Sequence, residues 1–212
     1  MTNRVAVLIS GSGTNLQALI DHSQQPDCPA TIELVVSNRA EVRGLERARL
    51  AGIDAVWMDH RGKAREVYDR ELVERLTRCG VDWVFLAGFM RLLSPVFLDA
   101  FPGRVINIHP ALLPSFPGLN AQQQAFDAGV QVSGATVHFV DSGMDTGAII
   151  AQGTVHRKPA DTIDAFSTRI LQMEHRLFPM VMRWATEGRL SLRDGAAVVE
   201  LAEGESRVLT AD

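Results

Sequence analysis

Cysteine is scarce in this chain of 212 residues, because only Cys28 and Cys79 occur and they lie far apart. Their spacing fits no metal-binding or redox motif, so the sequence predicts two unpaired thiols in a reducing compartment. The sequence also lacks long apolar runs. Its first apolar run, residues 5–9, is too short for a signal peptide or a membrane span. These absences predict a cytoplasmic protein.

Positive charge is not in excess either. Lysine and arginine together number 21, against 25 aspartate and glutamate residues, and the net charge is −4. A polyanion needs a basic surface, so we predict no nucleic-acid partner, whereas a small anion needs only a local site. The six histidines show no ligand spacing, which predicts no metal. No repeat or linker divides the chain, so we predict one domain over residues 1–212.

Hydrophobic periodicity predicts an α/β fold. Over the first hundred residues, apolar runs alternate with helical patterns, which is typical of a mostly parallel twisted sheet with helices on both faces, as in Rossmann-like folds. The predicted strands are 5–9, 32–36, 55–57, 81–87 and 104–108, and helices begin after residue 15 and cover 41–51, 65–79 and 95–100. The second half predicts a loop at 111–119, helices at 120–128 and 164–187, strands at 135–140 and 148–155, and a terminal hairpin of 196–201 with 207–209.

Asn107 and His109 are the most informative pair of residues. They stand two apart at the end of a predicted buried strand, so both side chains point to one face at the carboxyl edge of the sheet, where α/β proteins bind ligands. Pro110 ends the strand because it has no N–H. An amide donor beside an imidazole suits the stabilisation of an oxyanion while a proton moves. A histidine at a strand end is also commonly structural, and the pair alone leaves that alternative open.

A glycine-rich loop at residues 10–15 joins the first predicted strand to the first helix. Gly11 and Gly13 permit a tight turn that brings N–H groups close to a ligand, and the helix N-terminus adds partial positive charge. Leu16 replaces the third glycine of a dinucleotide fingerprint, and the lysine of a nucleoside-triphosphate loop is missing. The loop therefore predicts a site for a single phosphate, with a plain capped turn as the alternative.

Six stretches of the chain, in their order, match a known family. They are 8–18 (LISGSGTNLQA), 37–40 (SNRA), 44–48 (GLERA), 86–91 (LAGFMR), 107–114 (NIHPALLP) and 134–140 (GATVHFV). On these residues the chain resembles the folate-dependent glycinamide ribonucleotide formyltransferases of purine synthesis, along nearly its whole length. Such a set in this order is more specific than any one motif.

The resemblance implies a reaction and a catalytic trio. The family moves a formyl group from 10-formyltetrahydrofolate to the amine of glycinamide ribonucleotide, without a metal or a covalent enzyme intermediate. Asn107, His109 and Asp145 match the catalytic positions. The amide and a protonated imidazole can donate to the oxyanion, and the carboxylate can hold the imidazole and favour its charged form. Taken alone, Asp145 would be interpreted as a turn residue.

The resemblance also implies binding residues, and it divides the formyltransferase domain into a phosphate-binding half (1–108) and a folate and active-site half (109–212). The ribonucleotide is expected at Gly13, Thr14, Asn15 and Glu174. The folate co-substrate is expected at Arg65, Met90, Arg91, Leu92, Leu93, Asn107, Val140, Asp141, Ser142, Gly143, Met144 and Asp145. His138 is expected to be structural or to support the site residues without contacting the substrates. We expect small-molecule partners only, no membrane partner, and a monomer or homodimer.

Two residues depart from the family pattern. Asn120 stands where many members carry a histidine, which puts the details of loop closure or ribonucleotide contact in doubt. Leu171 stands where some members have a polar contact to the phosphate, so that one interaction is missing or supplied elsewhere.

Three other functions are alternatives to formyl transfer to glycinamide ribonucleotide. Formyltetrahydrofolate hydrolases use the same trio, but they carry an added N-terminal domain and do not require the phosphate loop. Methionyl-tRNA formyltransferases need a longer chain and a basic RNA-binding surface. A non-catalytic binding protein on the same fold is the third, because fold does not fix function. The intact trio argues against it.

Overall fold

The computed structural model describes residues 3–211, and one eight-stranded sheet spans both predicted halves of the chain. Its strands are β1 (Asn3–Ile9), β2 (Ala30–Ser37), β3 (Asp54–Trp57), β4 (Trp83–Leu86), β5 (Val105–His109), β6 (Val132–Phe139), β7 (Ile149–His156) and β10 (Val208–Thr210). A separate two-stranded sheet consists of β8 (Leu190–Arg193) and β9 (Ala196–Val199). The helices are α1 (Thr14–Ser23), α2 (Arg43–Leu50), α3 (Arg65–Arg78), α4 (Pro95–Ala100), α5 (Ala121–Asp127) and α6 (Ile163–Thr186).

The sheet is mostly parallel, as predicted. Its strand order is β10-β7-β6-β5-β4-β1-β2-β3, and β6 alone in this order runs antiparallel to its neighbours. The strands β2, β1, β4 and β5 are parallel and adjacent, so their carboxyl ends meet at one edge. Ligand sites of open α/β sheets lie at such an edge.

Helices cover both faces of the sheet, which explains the continuous apolar run of β1. Val5, Val7 and Ile9 pack in a core that also contains residues of α1, α2, α5 and α6. Ala6 and Leu8 point the other way and pack with α3 and α4. A strand buried on both faces needs apolar residues at every position, and β1 has them from Val5 to Ile9.

The C-terminal hairpin exists, but the predicted pairing of 196–201 with 207–209 is wrong. The hairpin joins β8 to β9 through Asp194 and Gly195, both of which have positive φ. An Asp-Gly pair with two positive φ values is a favoured two-residue hairpin turn. Strand β10 instead pairs in parallel with β7 at the edge of the main sheet. Arg207 fixes it there by donating to the carbonyls of Ile149 and Ile150.

Helix α6 is the longest helix and crosses the face that α1 also covers. It begins where the Thr162 hydroxyl accepts a hydrogen bond from the Ala165 N–H at 3.2 Å, a common N-cap contact. Its apolar side packs in the core, and it carries Glu174. Within residues 3–211, no helix has both the length and the apolar character that crossing a bilayer requires.

Candidate active site

The pair Asn107 and His109 lies at the carboxyl end of β5, as predicted. In the antiparallel pairing of β5 with β6, Asn107 stands opposite His138 and His109 stands opposite Thr136. Directly opposed residues share a face, so β6 adds a second imidazole beside the predicted pair. Four polar residues, Asn107, His109, Thr136 and His138, therefore lie on one face of the sheet.

His109 is almost fully buried, and both of its ring nitrogens face oxygen atoms. Its Nε2–H donates to the carbonyl of Phe116 at 2.8 Å, and Nδ1 lies 3.4 Å from Oδ2 of Asp145. Burial lowers the pKa of His109 below its usual value, although the Phe116 carbonyl and the Asp145 carboxylate favour the charged ring. The imidazole is thus oriented and poised to exchange a proton.

Asp145 reaches the imidazoles because the loop between β6 and β7 folds back over the sheet. Its Oδ2 accepts the N–H of Gly118 at 2.8 Å, and its Oδ1 lies 3.7 Å from Nε2 of His138. Burial alone would raise the pKa of Asp145, but interactions with His138, Gly118 and His109 lower it below the usual value. The carboxylate therefore stays charged beside His109.

His138, for which the sequence predicts a structural role or a supporting contact to the site, contacts Asn107 and Asp145 directly. Its Nδ1–H donates to the carbonyl of Phe139 at 2.7 Å, so Nε2 accepts a hydrogen bond when the ring is neutral and faces Asp145 as a donor when the ring is charged. The Asn107 amide donates to that Nε2 at 3.2 Å. This contact turns the NH2 group of Asn107 toward His138 and leaves its second hydrogen for a ligand. His138 thus fixes the orientation of the predicted oxyanion donor.

A cavity of about 660 Å³ opens beside these residues, within the size range of small-molecule sites. The predicted site residues that line it are Thr14, Asn15, Met90, Arg91, Leu92, Leu93, Asn107, His109, Val140, Asp141, Gly143, Met144, Asp145 and Glu174. Arg65 and Ser142 are exposed and stand outside this lining, and so does Gly13. Ser12 of the predicted phosphate loop and His138 line it too, and the lining residues to which the sequence assigned no role include Gly118 and Gln122. Asn120 lines it as well, in a left-handed conformation at the start of α5.

The glycine loop and the start of α1 also line this cavity, through Ser12, Thr14 and Asn15. Gly13 has φ +71°, and a Cβ atom there would lie 2.6 Å from Cα of Gly44, so the loop packs against α2 as only glycine allows. Arg47 of α2 donates from Nε to the Ser12 carbonyl at 2.9 Å. No side chain caps α1, so its first N–H groups are available to an anion.

Glu174 is a buried carboxyl group at the wall of the cavity. It is 4% exposed, and burial raises its pKa to about 8, while the Asn15 side chain opposes this shift. A carboxyl group that is neutral at pH 7 can donate as well as accept hydrogen bonds. Sequence reasoning alone would have placed Glu174 in solvent.

Replacing Glu174 with Gln is expected to flatten the pH dependence of stability. The folded protein keeps this proton up to pH about 8, whereas the unfolded chain releases it near 4.5. The stabilisation is therefore complete below 4.5 and is lost as the pH rises through 8. Melting temperatures from about pH 5 to about pH 9 should fall less in Glu174→Gln than in the native protein. If the curves of melting temperature against pH were parallel for the two proteins, the raised pKa of Glu174 would be contradicted. The control is Glu46→Gln, on an exposed face of α2.

In the part of the chain that the structure describes, no three His, Cys, Asp or Glu side chains are grouped as metal ligands. The polar groups that this site offers to a ligand are the Asn107 amide, the imidazoles, the carboxyl groups and the first N–H groups of α1.

Comparisons with known proteins agree on one family. The model of the formyl transferase family matches residues 3–182. The phosphoribosylglycinamide formyltransferase of Escherichia coli is 43% identical over 194 residues, which cover 91% of this chain and 92% of that protein. The crystal structure of glycinamide ribonucleotide transformylase 1 from Symbiobacterium toebii is similar at a TM-score of 0.90 and 49% identity, covering 93% of this chain and 94% of that one.

A longer relative is also similar. The trifunctional purine biosynthetic protein adenosine-3 of Drosophila melanogaster is 50% identical over 188 residues, which are 87% of this chain and only 14% of that protein. Since the family model covers most of the chain and relatives of similar length match it nearly end to end, this chain belongs to the formyl transferase family.

Proposed function

We propose that this protein transfers the formyl group of 10-formyltetrahydrofolate to the amine of glycinamide ribonucleotide, as a single formyltransferase domain. The observation that carries the proposal is that one cavity is lined both by Asn107, His109 and Asp145 and by Ser12, Thr14 and Asn15 of the glycine loop and the start of α1. A cytoplasmic location and a monomeric or homodimeric state stay predictions.

The ribonucleotide is assigned to the side of the glycine loop. The free N–H groups at the start of α1, with the side chains of Thr14 and Asn15, suit a phosphate monoester. Glu174 lines the same cavity and interacts with the Asn15 side chain, so it can contact the sugar or the amine of a ribonucleotide held there. Leu171 offers no polar contact, and the half-buried Arg47 guanidinium beside the loop supplies positive charge nearby.

The folate is assigned to the side of the loops after β4 and β6. Met90, Leu92 and Met144 are exposed apolar side chains at the cavity mouth, where an apolar ring system would cover them. The backbone of residues 140–145 offers N–H and carbonyl groups to the polar edge of a pterin. A largely apolar wall with a few polar groups is the usual form of such a site.

Formyl transfer requires one bond to form, one to break and one proton to move. The amine attacks the formyl carbon, the bond to the folate nitrogen breaks, and a proton passes from the amine to that nitrogen. Asn107 donates its free amide hydrogen to the developing oxyanion, and His109 assists the proton transfer. To donate to the oxyanion, Nε2–H of His109 must first give up its hydrogen bond to the Phe116 carbonyl. The loop at 111–119, which carries this carbonyl, must therefore move during the reaction.

The proposal is tested by following tetrahydrofolate release from 10-formyltetrahydrofolate with and without glycinamide ribonucleotide. Formyl transfer predicts release only when the ribonucleotide is present, with formylated ribonucleotide formed in equal amount. Release of tetrahydrofolate and formate without the ribonucleotide would instead identify a hydrolase. Tight binding of both compounds without any release would support a non-catalytic binding protein.

Replacing Asn15 with Ala is expected to weaken ribonucleotide binding selectively. One lost polar contact to a phosphate or sugar should raise the KM for the ribonucleotide about tenfold and leave the KM for the folate almost unchanged. Steady-state kinetics with each substrate varied in turn measures both constants. Gln24→Ala, at the exposed end of the same helix, is the control. A change confined to the folate KM would contradict the phosphate assignment.

A further inference from the structure

A buried hydroxyl group connects the loops that are assigned to the two substrates. Ser10 follows β1 and is 3% exposed, and it does not line the cavity. Its Oγ–H donates to Oδ1 of Asn38 at 2.6 Å, and its Oγ accepts the N–H of Met90 at 2.8 Å. The three residues follow β1, β2 and β4, which are neighbours in the sheet.

The hydroxyl is suited to this position because it both donates and accepts. Asn38 is 4% exposed, and its amide oxygen needs a donor, whereas the Met90 N–H needs an acceptor. A serine hydroxyl satisfies both at once, and alanine satisfies neither. Each buried polar group that loses its partner is costly. The contact therefore restrains the backbone of Met90 relative to Ser10.

The two ends of this contact belong to different halves of the cavity. Ser10 begins the loop at 10–13, which holds the N-terminus of α1 and the phosphate side. Met90 belongs to the segment 88–93, which lines the folate side and begins at Gly88, where φ is +76°. Phe89 and Leu93 of this segment are buried in the core, whereas the Met90 side chain is 58% exposed. The hydrogen bond from the Met90 N–H to Ser10 therefore adds a direct restraint on the backbone of the exposed residue.

We infer that Ser10 is a positioning residue that couples the folate-side segment to the phosphate loop, an inference that rests on the proposed function. Through this hydroxyl, a ligand that orders the phosphate loop also restrains the backbone of Met90. The ribonucleotide should therefore strengthen folate binding, and folate should strengthen ribonucleotide binding to the same degree, because such coupling is reciprocal. Neither ligand touches Ser10 itself.

The test is the Kd for tetrahydrofolate, measured by titration calorimetry with and without glycinamide ribonucleotide. Native protein should bind tetrahydrofolate several-fold more tightly with the ribonucleotide present. In Ser10→Ala, tetrahydrofolate alone should bind about tenfold more weakly, and the effect of the ribonucleotide should largely disappear. A merely structural serine would lower the melting temperature and leave both quantities unchanged, which would overturn the inference.

Ser133→Ala is the matched control. Ser133 is 1% exposed, and its hydroxyl has no hydrogen-bond partner among the described residues, so its loss should change neither Kd. If Ser10→Ala does not fold, Asn38→Ala breaks the same chain at its other end and should reduce the coupling in the same direction. Unchanged coupling in that variant overturns the inference. Native protein that binds no tetrahydrofolate would overturn the inference and the proposed function together.

Discussion

Replacing His109 with Ala is expected to reduce turnover about 10³-fold, because general acid–base assistance is worth about 10²–10⁴-fold and an oxyanion donor is lost with it. The cost to folding is smaller, because one hydrogen bond to Phe116 disappears and a small cavity remains. Turnover and melting temperature, measured on the same preparation, separate the two effects.

His156→Ala is the control for this experiment. His156 ends β7 and is exposed, and its side chain is not part of the cavity lining. The turnover of the His156→Ala variant should equal that of the native protein. If folded His109→Ala protein kept native turnover, the role assigned to His109 would be wrong. The proposal that the protein transfers a formyl group is tested separately.

The parallel half of the fold was predictable because its signals are local. Apolar runs and helical periodicity located β1 and α3 within two residues, and Pro95 marked the first residue of α4. The antiparallel end was less predictable. The Asp194-Gly195 turn is a strong local signal that the interpretation overlooked, and the placement of β10 depends on contacts of Arg207 with another strand.

The site was predictable where its residues share one strand. Asn107 and His109 lie on β5, so the side-chain period of two places them together. His138 comes from β6, and its position opposite Asn107 depends on the register between two strands, which the sequence does not encode locally. Two further contacts could not be predicted: the hydrogen bond between Ser10 and Met90, and the hydrogen bond between His109 and the Phe116 carbonyl. Each involves a residue in a loop, where no periodic sequence pattern indicates the partner.

Replacing Asp145 with Asn is expected to reduce turnover about 10²–10³-fold with little effect on folding, because it removes a charge that favours protonated His109. The substitution is sterically mild. Asp145 has φ +55°, a conformation that asparagine adopts as readily as aspartate, and an amide oxygen can still accept the N–H of Gly118. The variant thus tests the negative charge rather than the shape of the loop.

The pH profile distinguishes this role from a structural one. In the native protein Asp145 is among the groups that favour the charged ring, so its neutral replacement should lower the pKa of His109 further. In the pH profile of kcat/KM, the limb that reports the ionisation of His109 should therefore move to lower pH in Asp145→Asn. Asp194→Asn makes the same change at another residue with positive φ, in the turn between β8 and β9, and should leave turnover and profile as in the native protein. Both substitutions place asparagine at a residue with positive φ, so any effect of backbone strain should be the same in the two variants. A loss of turnover confined to Asp145→Asn therefore comes from the loss of the carboxylate beside His109. An unshifted limb with native turnover would remove Asp145 from the trio and leave Asn107 and His109 to carry the reaction.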